Sequence, residues 1–534
     1  MKKFLWFVLI FALAPLGRAS SGDEFFRAME DEMARSKNEL RLEGNPDPYY
    51  IVYRLKVMHT PFVVKASMGS LYRTQTNARP VVNAGVLLSS GNGKQDSFGV
   101  EGNHWFTQRD VGQSYDALRH RLWELTNEAY LAASDLYARK EAYRRRKAQG
   151  NGEVDFIPGE QSVYTEEAPR LPSLDKEQLQ NFAKALSAKG KNLPLMYDFY
   201  VEISPEQTER YFLNNLGGKV RYGWACITAT WRAKFRTQTG YNLQLERKIV
   251  FDASEDWQPR LEEAVDEFIK HLRQIQTAKM GEAYIGPVLL MPAAAAQMWD
   301  RAFVKNMIEF SPIVSSYGTE TSGGSFKDKM NLRVVSPEVD VYDKPFLRTY
   351  NGQRLKGFTI RDEEGVTPQE LTLIKDGFLR EIPTSSRPFK KGILSNGHGR
   401  SLQEFPREAL TNVIVKPHHP LSPKALEDRL LEMCRAQELP YCYIIHDLNE
   451  EMLERDMMER IYTSDGHKEP VTGLEIETTF SPRLLRDIRA AGDEATVLNT
   501  KQNISIVTPA VLLEEMELVP TDKKPERPPL VPKP

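Results

Sequence analysis

The side chains best able to do chemistry gather in glycine-anchored clusters in the second half of the chain. Asp362-Glu363-Glu364-Gly365 sets three carboxylates beside a glycine. Such a cluster can hold a peptide amine or a cation, and the plain alternative is a charged turn. In Asn396-Gly397-His398-Gly399-Arg400 an imidazole sits between two glycines, where a ligand could approach closely, or the segment is a surface loop. Arg400 offers a planar fork that suits a carboxylate. Thr411-Asn412 follows, and Asp465-Gly466 marks a hairpin turn. The candidate substrate-binding set is Asp362, Glu363, Gly365, His398, Arg400 and Asn412.

Other constellations carry less. No Gly-x-Ser-x-Gly elbow and no local Cys-His signature points to a serine or cysteine nucleophile. Cys442 and His446 are four apart in YCYIIHDL, with His398 and His418-His419 nearby in sequence. That segment reads as a strand, where a spacing of four puts side chains on one face roughly 13 Å apart. One ion cannot bridge that distance, so no metal site and no cofactor are expected. The three cysteines, Cys226, Cys434 and Cys442, are too few for a disulfide scaffold. They read most simply as small core residues, and a Cys434–Cys442 bridge stays open.

The elements that must position these groups follow from periodicity. Apolar residues spaced at three and four predict helices over 22–42, 114–147, 174–188, 257–276, 293–310 and 423–436. Ser173 is the expected N-cap of the third. Runs rich in β-branched and aromatic residues predict strands over 49–57, 62–69, 71–77 and 80–88. Strands recur between 196 and 251, over 286–291, and through the rest of the chain to Val519. Asn92-Gly93 is a strong turn signal.

A chain of 534 residues is too long for one core. The fold class is α+β: an α/β N-terminal domain with long helices flanking a sheet (22–280), then a β-rich C-terminal domain (285–519). The last fifteen residues, 520–534, are a Pro-rich tail. Composition is ordinary for a globular protein, with 41% hydrophobic and 27% charged residues. Net charge is −2, so nothing steers the chain toward nucleic acid.

Lys2-Lys3, the apolar run from Phe4 to Leu16 and the small residues of Gly17-Arg18-Ala19 form the pattern of a signal peptide over 1–19. The run is too short to span a bilayer and Pro15 interrupts it. Export to the periplasm or medium is expected, without stable membrane insertion after cleavage.

The second half resembles the TldD/PmbA (TldD/TldE) peptidase family. The match rests on the order of several stretches: Gly286-Pro287-Val288-Leu289-Leu290 with Ala293 to Ala296, Asp362 to Pro368, Leu373 to Leu379, Ser395 to Arg400, Thr411-Asn412, and Asp465-Gly466 through Gly473-Leu474-Glu475-Ile476. The resemblance implies dimers enclosing a cavity where peptides are cut. In the catalytic partner, it implies, the helix after the Gly-Pro-Val strand carries His-Glu-x-x-x-His, whose two His grip one zinc while the Glu polarises its water. A Cys near the C-terminus supplies a third ligand. Here that helix reads AAAAQMWDRAFVKN, and no Cys follows Cys442. The chain therefore looks like the TldE/PmbA-like, non-metal member. The expected function is the non-metal subunit of a peptidase assembly that binds and positions peptides, beside a TldD-like partner or as a self-dimer. The alternatives are a peptidase with an unrecognised site and a non-enzymatic peptide-binding or scaffold dimer.

Overall fold

The computed structural model describes residues 21–521 except 78, 93–94, 148–154, 319, 322, 391, 402–404 and 449–457. The signal-peptide segment and nearly all of the Pro-rich tail lie outside the described residues, as does Gly93 of the expected turn.

The first half builds one large sheet. Its strands are β1 (Pro48–His59), β2 (Phe62–Ser67), β3 (Ser70–Thr76), β4 (Val81–Ser90), β5 (Trp105–Gln108), β6 (Val163–Thr165), β7 (Met196–Asn214), β8 (Lys219–Arg236) and β9 (Asn242–Asp252). The main path runs β5-β4-β1-β7-β8-β9, and a short hairpin from the second half, Thr349–Tyr350 with Gln353–Arg354, extends it beyond β9. The sequence suggests two separate strands along β7, YDFYVEI over 197–203 and RYFLNN over 210–215. The chain makes one, because its alternation continues unbroken: Phe199, Val201, Ile203, Tyr211 and Leu213 are all buried.

Side-chain alternation decides what covers each face. Odd-numbered residues of β7 and β8 face helices α1 (Ser21–Glu39), α2 (Tyr115–Lys147), α3 (Lys176–Ala188) and α4 (Trp257–Gln276). The stripe Leu261, Val265, Phe268, Leu272 and Ile275 of α4 packs with Phe199, Ala229, Trp231 and Phe235. Even-numbered residues face the other way, where Phe212, Val220 and Tyr222 meet Phe358, Ile360 and Phe405 of the second half. The helix α3 is capped by Asp175 rather than Ser173. The Asp175 Oδ1 accepts from the backbone N–H of Glu177 at 2.8 Å and of Gln178 at 3.1 Å.

The second half centres on the long strand Ser505–Pro520. It pairs antiparallel with Tyr284–Leu290 and Ile488–Asn499, and parallel with Asn412–Pro417. Helix α5 (Pro292–Ala302) covers one face of this sheet and α6 (Pro423–Ala436) the other. Val288 and Leu290 point toward α5, while Leu289 points toward α6. The helix α5 stops eight residues short of the expected end at 310. Asn306 folds back, and its Nδ2 donates to the carbonyls of Arg301 and Ala302, closing the helix C-terminus. Cys434 and Cys442 are bonded to each other, with Cα atoms 6.3 Å apart, which corrects their reading as separate core residues. The α6 terminus and the strand Tyr441–Ile445 bring them within disulfide reach. Cys226 alone is a free buried thiol.

Candidate functional site

Where the even face of the first sheet meets loops of the second half, a cleft of about 380 Å3 opens. Strand register builds its floor. One row across the sheet reads Thr107, Gly85, Arg54, Phe212, Val220; the next reads Asn83, Lys56, Arg210, Tyr222. Residues opposite each other on neighbouring strands share a face, so residues distant in sequence become one lining. Gly85 is required here, because a Cβ would lie 2.5 Å from the Trp105 ring. The Arg54 guanidinium stacks on that ring at 4.7 Å.

The other wall comes from Arg361-Asp362-Glu363, Arg400 and Gln502-Asn503. Glu363 bridges two floor cations. Its Oε2 is 2.7 Å from Arg54 Nη1 and its Oε1 3.7 Å from Arg210 Nη1. The Arg54 and Arg210 guanidiniums hold its carboxyl below the usual range despite burial. Arg400 donates to the carbonyls of Gly357 at 3.2 Å and Asn503 at 3.0 Å. Lys56 makes no hydrogen bond or ion pair among the described residues. Burial, and after it the charge of Arg210, lowers its pKa. Glu206 acts on Lys56 only through space and accepts instead from Thr208. Arg54, Lys56, Arg109, Arg210, Arg361 and Arg400 thus line one cleft with the Glu363 carboxylate, an arrangement suited to an anion.

The sequence-predicted residues divide between this cleft and the structure behind it. Asp362, Glu363 and Arg400 line it. Asp362 does so with its carboxylate turned inward, accepting from the backbone N–H groups of Glu364, Val366 and Gly399, each at 2.9 Å. Gly365 takes a φ of +86°, and a Cβ there would meet Gln161 and Phe212. His398 is fully buried rather than displayed on a loop, and its Nε2 is 3.2 Å from an oxygen of Asp343. Asn412 is also buried and donates to the carbonyls of Lys344 and Leu347. Missed by the sequence reading were Arg54, Lys56, Arg210 and Trp105. Arg54 and Lys56 at a spacing of two in YYIVYRLKV were the available signal, since such pairs share a strand face.

Directly behind the wall lies an acidic pocket. Glu364 is buried and accepts from the Ser386 N–H at 2.7 Å. Burial, then the neighbouring Asp362, pushes its carboxyl up to about 8, and burial pushes Asp362 up to about 6.

A zinc site is not built at α5. Ala294, Ala295, Ala296, Met298 and Trp299 are buried in the core and offer no donor. The one amide, Gln297, is engaged with the Asp447 carboxylate and the Leu448 N–H. Cys442 is in the disulfide, and His446 contacts Glu459 at 3.1 Å. Among the described residues, ligand atoms of Asp340, Asp376 and His418 lie within 4.8 Å of one another. Asp340 already meets Lys375, Tyr342, His418 and the Asp376 N–H, so its oxygens are occupied.

Comparison with known proteins agrees with this architecture. Residues 283–519 match the model of the PmbA/TldA metallopeptidase C-terminal domain. No curated protein matches the chain. Among solved structures, a Thermotoga maritima protein described as a candidate modulator of a DNA gyrase is similar, with a TM-score of 0.64 and 17% identity over 93% of this chain and 100% of that one. TldE from Thermococcus kodakarensis gives a TM-score of 0.58 and 15% identity over 92% of this chain and 100% of its own. These likenesses are of fold. The matched C-terminal domain covers residues 283–519, and the solved structures share the fold of the whole chain.

Proposed function

We propose that this protein is an exported, non-metal member of the PmbA/TldD family that binds and positions peptides for a partner chain to cut. On this reading residues 22–280 and 285–519 are two domains, and the cleft at their junction is the peptide site. The observation that carries it is a pairing: a cation-rich cleft beside an edge strand, and an α5 with no histidine where the motif of the PmbA/TldD family would stand. At the end of its sheet, β5 pairs with β4 alone among the described strands, so a peptide backbone can add along its free edge. Exposed Thr107 and Gln108 flank the entry to the cleft. The partner is a family chain carrying the His-Glu motif, or a second copy of this one.

Export draws on the N-terminal pattern and on the Cys434–Cys442 bond, which suits an oxidising compartment. Among the described residues, no helix is long and apolar enough to cross a membrane.

Photo-crosslinking tests the peptide site. An unstructured peptide carrying a photoreactive residue is expected to attach to β5 and the loop 361–363. Attachment scattered over the surface, or none, would refute it.

A further inference from the structure

Resting on the peptide-binding reading, we propose that the inner end of the cleft is a carboxylate subsite that takes the C-terminus of the bound peptide. The two ends of the floor differ: Thr107 on the β5 rim is exposed, whereas Tyr222 at the far end is 5% exposed and packs with Phe358 of the second half. A cleft that closes inward suits a chain end rather than a chain running through. The charge of that inner end selects which end. Lys56 and Arg210 face each other across β1 and β7 in direct register, and Arg400 stands close enough to Arg210 for their charges to interact.

Among the described residues, the carboxylate in ion-pair contact with this group is Glu363, shared by Arg54 and Arg210, while Glu206 acts on Lys56 and Asp343 on Arg400 only through space. Lys56 is left with three N–H donors and no acceptor of its own. A peptide ammonium entering here would meet like charge in a partly desolvated site, which disfavours it. A carboxylate would give Lys56 a partner and form charge-assisted bonds with it. The carboxylate could come from a chain terminus or from an Asp or Glu side chain. The closed inner end favours the terminus.

The test uses the full-length protein and one N-terminally labelled, unstructured peptide in three forms: free acid, C-terminal amide, and amide with a penultimate Glu. Binding is read by fluorescence anisotropy at low salt. The free acid should bind about tenfold or more tighter than the plain amide, as expected for a lost charge-assisted bond. Lys56→Gln should weaken the free acid toward the level of the amide and leave the amide unchanged, with an unaltered thermal melt showing that the variant folds. Equal binding of acid and amide would overturn the subsite while leaving peptide binding intact. So would a Glu-bearing amide as tight as the acid, which would assign the site to side-chain carboxylates. No binding of any form would sink the peptide-binding reading together with the subsite.

Discussion

Glu364 and Asp362 are paired carboxyls whose burial favours the protonated state, and the consequence is a pH-dependent stability. The folded chain holds Glu364 protonated up to about 8, whereas its ordinary value is 4.5. Between those values the native state binds a proton that the unfolded chain has released, so stability falls as pH rises through that window. Glu364→Gln keeps an acceptor for the Ser386 N–H and carries no proton to lose. The urea midpoint of the wild type is expected to fall more between pH 5 and 8 than that of Glu364→Gln. Parallel profiles would contradict the assignment. Asp343 works in the opposite direction. Its folded pKa is depressed with His398 as a principal cause, so its contribution is present above about pH 4 and lost on further acidification. The sequence marked this neighbourhood through its glycines. It could not say that Glu363 faces the cleft while Glu364 faces inward, because burial of a turn depends on what packs over it.

At the scale of elements, amphipathic helices were the most legible. The limits of α4 and α6 follow directly from apolar spacing and flanking residues. The end of α5 was not legible, because Phe303, Val304, Met307 and Phe310 continue an apolar run that is buried on all sides without being helical throughout. The Cys434–Cys442 disulfide could be named but not decided, since pairing depends on how α6 returns to the next strand. Its effect is open to measurement. Closing so short a loop is worth roughly 2–3 kcal/mol in the chain-entropy account. Reductant is expected to lower the melting temperature of the wild type and to leave the Cys434→Ser/Cys442→Ser double variant unmoved. A wild type indifferent to reductant would show that the bond contributes nothing to stability.

At the scale of the whole molecule, the cleft is a product of register. Arg54 and Arg210 are far apart in sequence and meet only because β1 and β7 pair, and Arg400 arrives from the other half of the chain. No sequence pattern carries that meeting, which is why Glu363 and Arg400 could be singled out but not Arg54, Lys56 or Arg210. The same scale carries the account's main claim, that this chain holds peptides without zinc chemistry of its own. The direct measurement is mass spectrometry of an unstructured peptide incubated with the purified full-length protein and added zinc, with and without chelator. The account predicts an intact peptide in both reactions. Cleavage that chelator abolishes would contradict it.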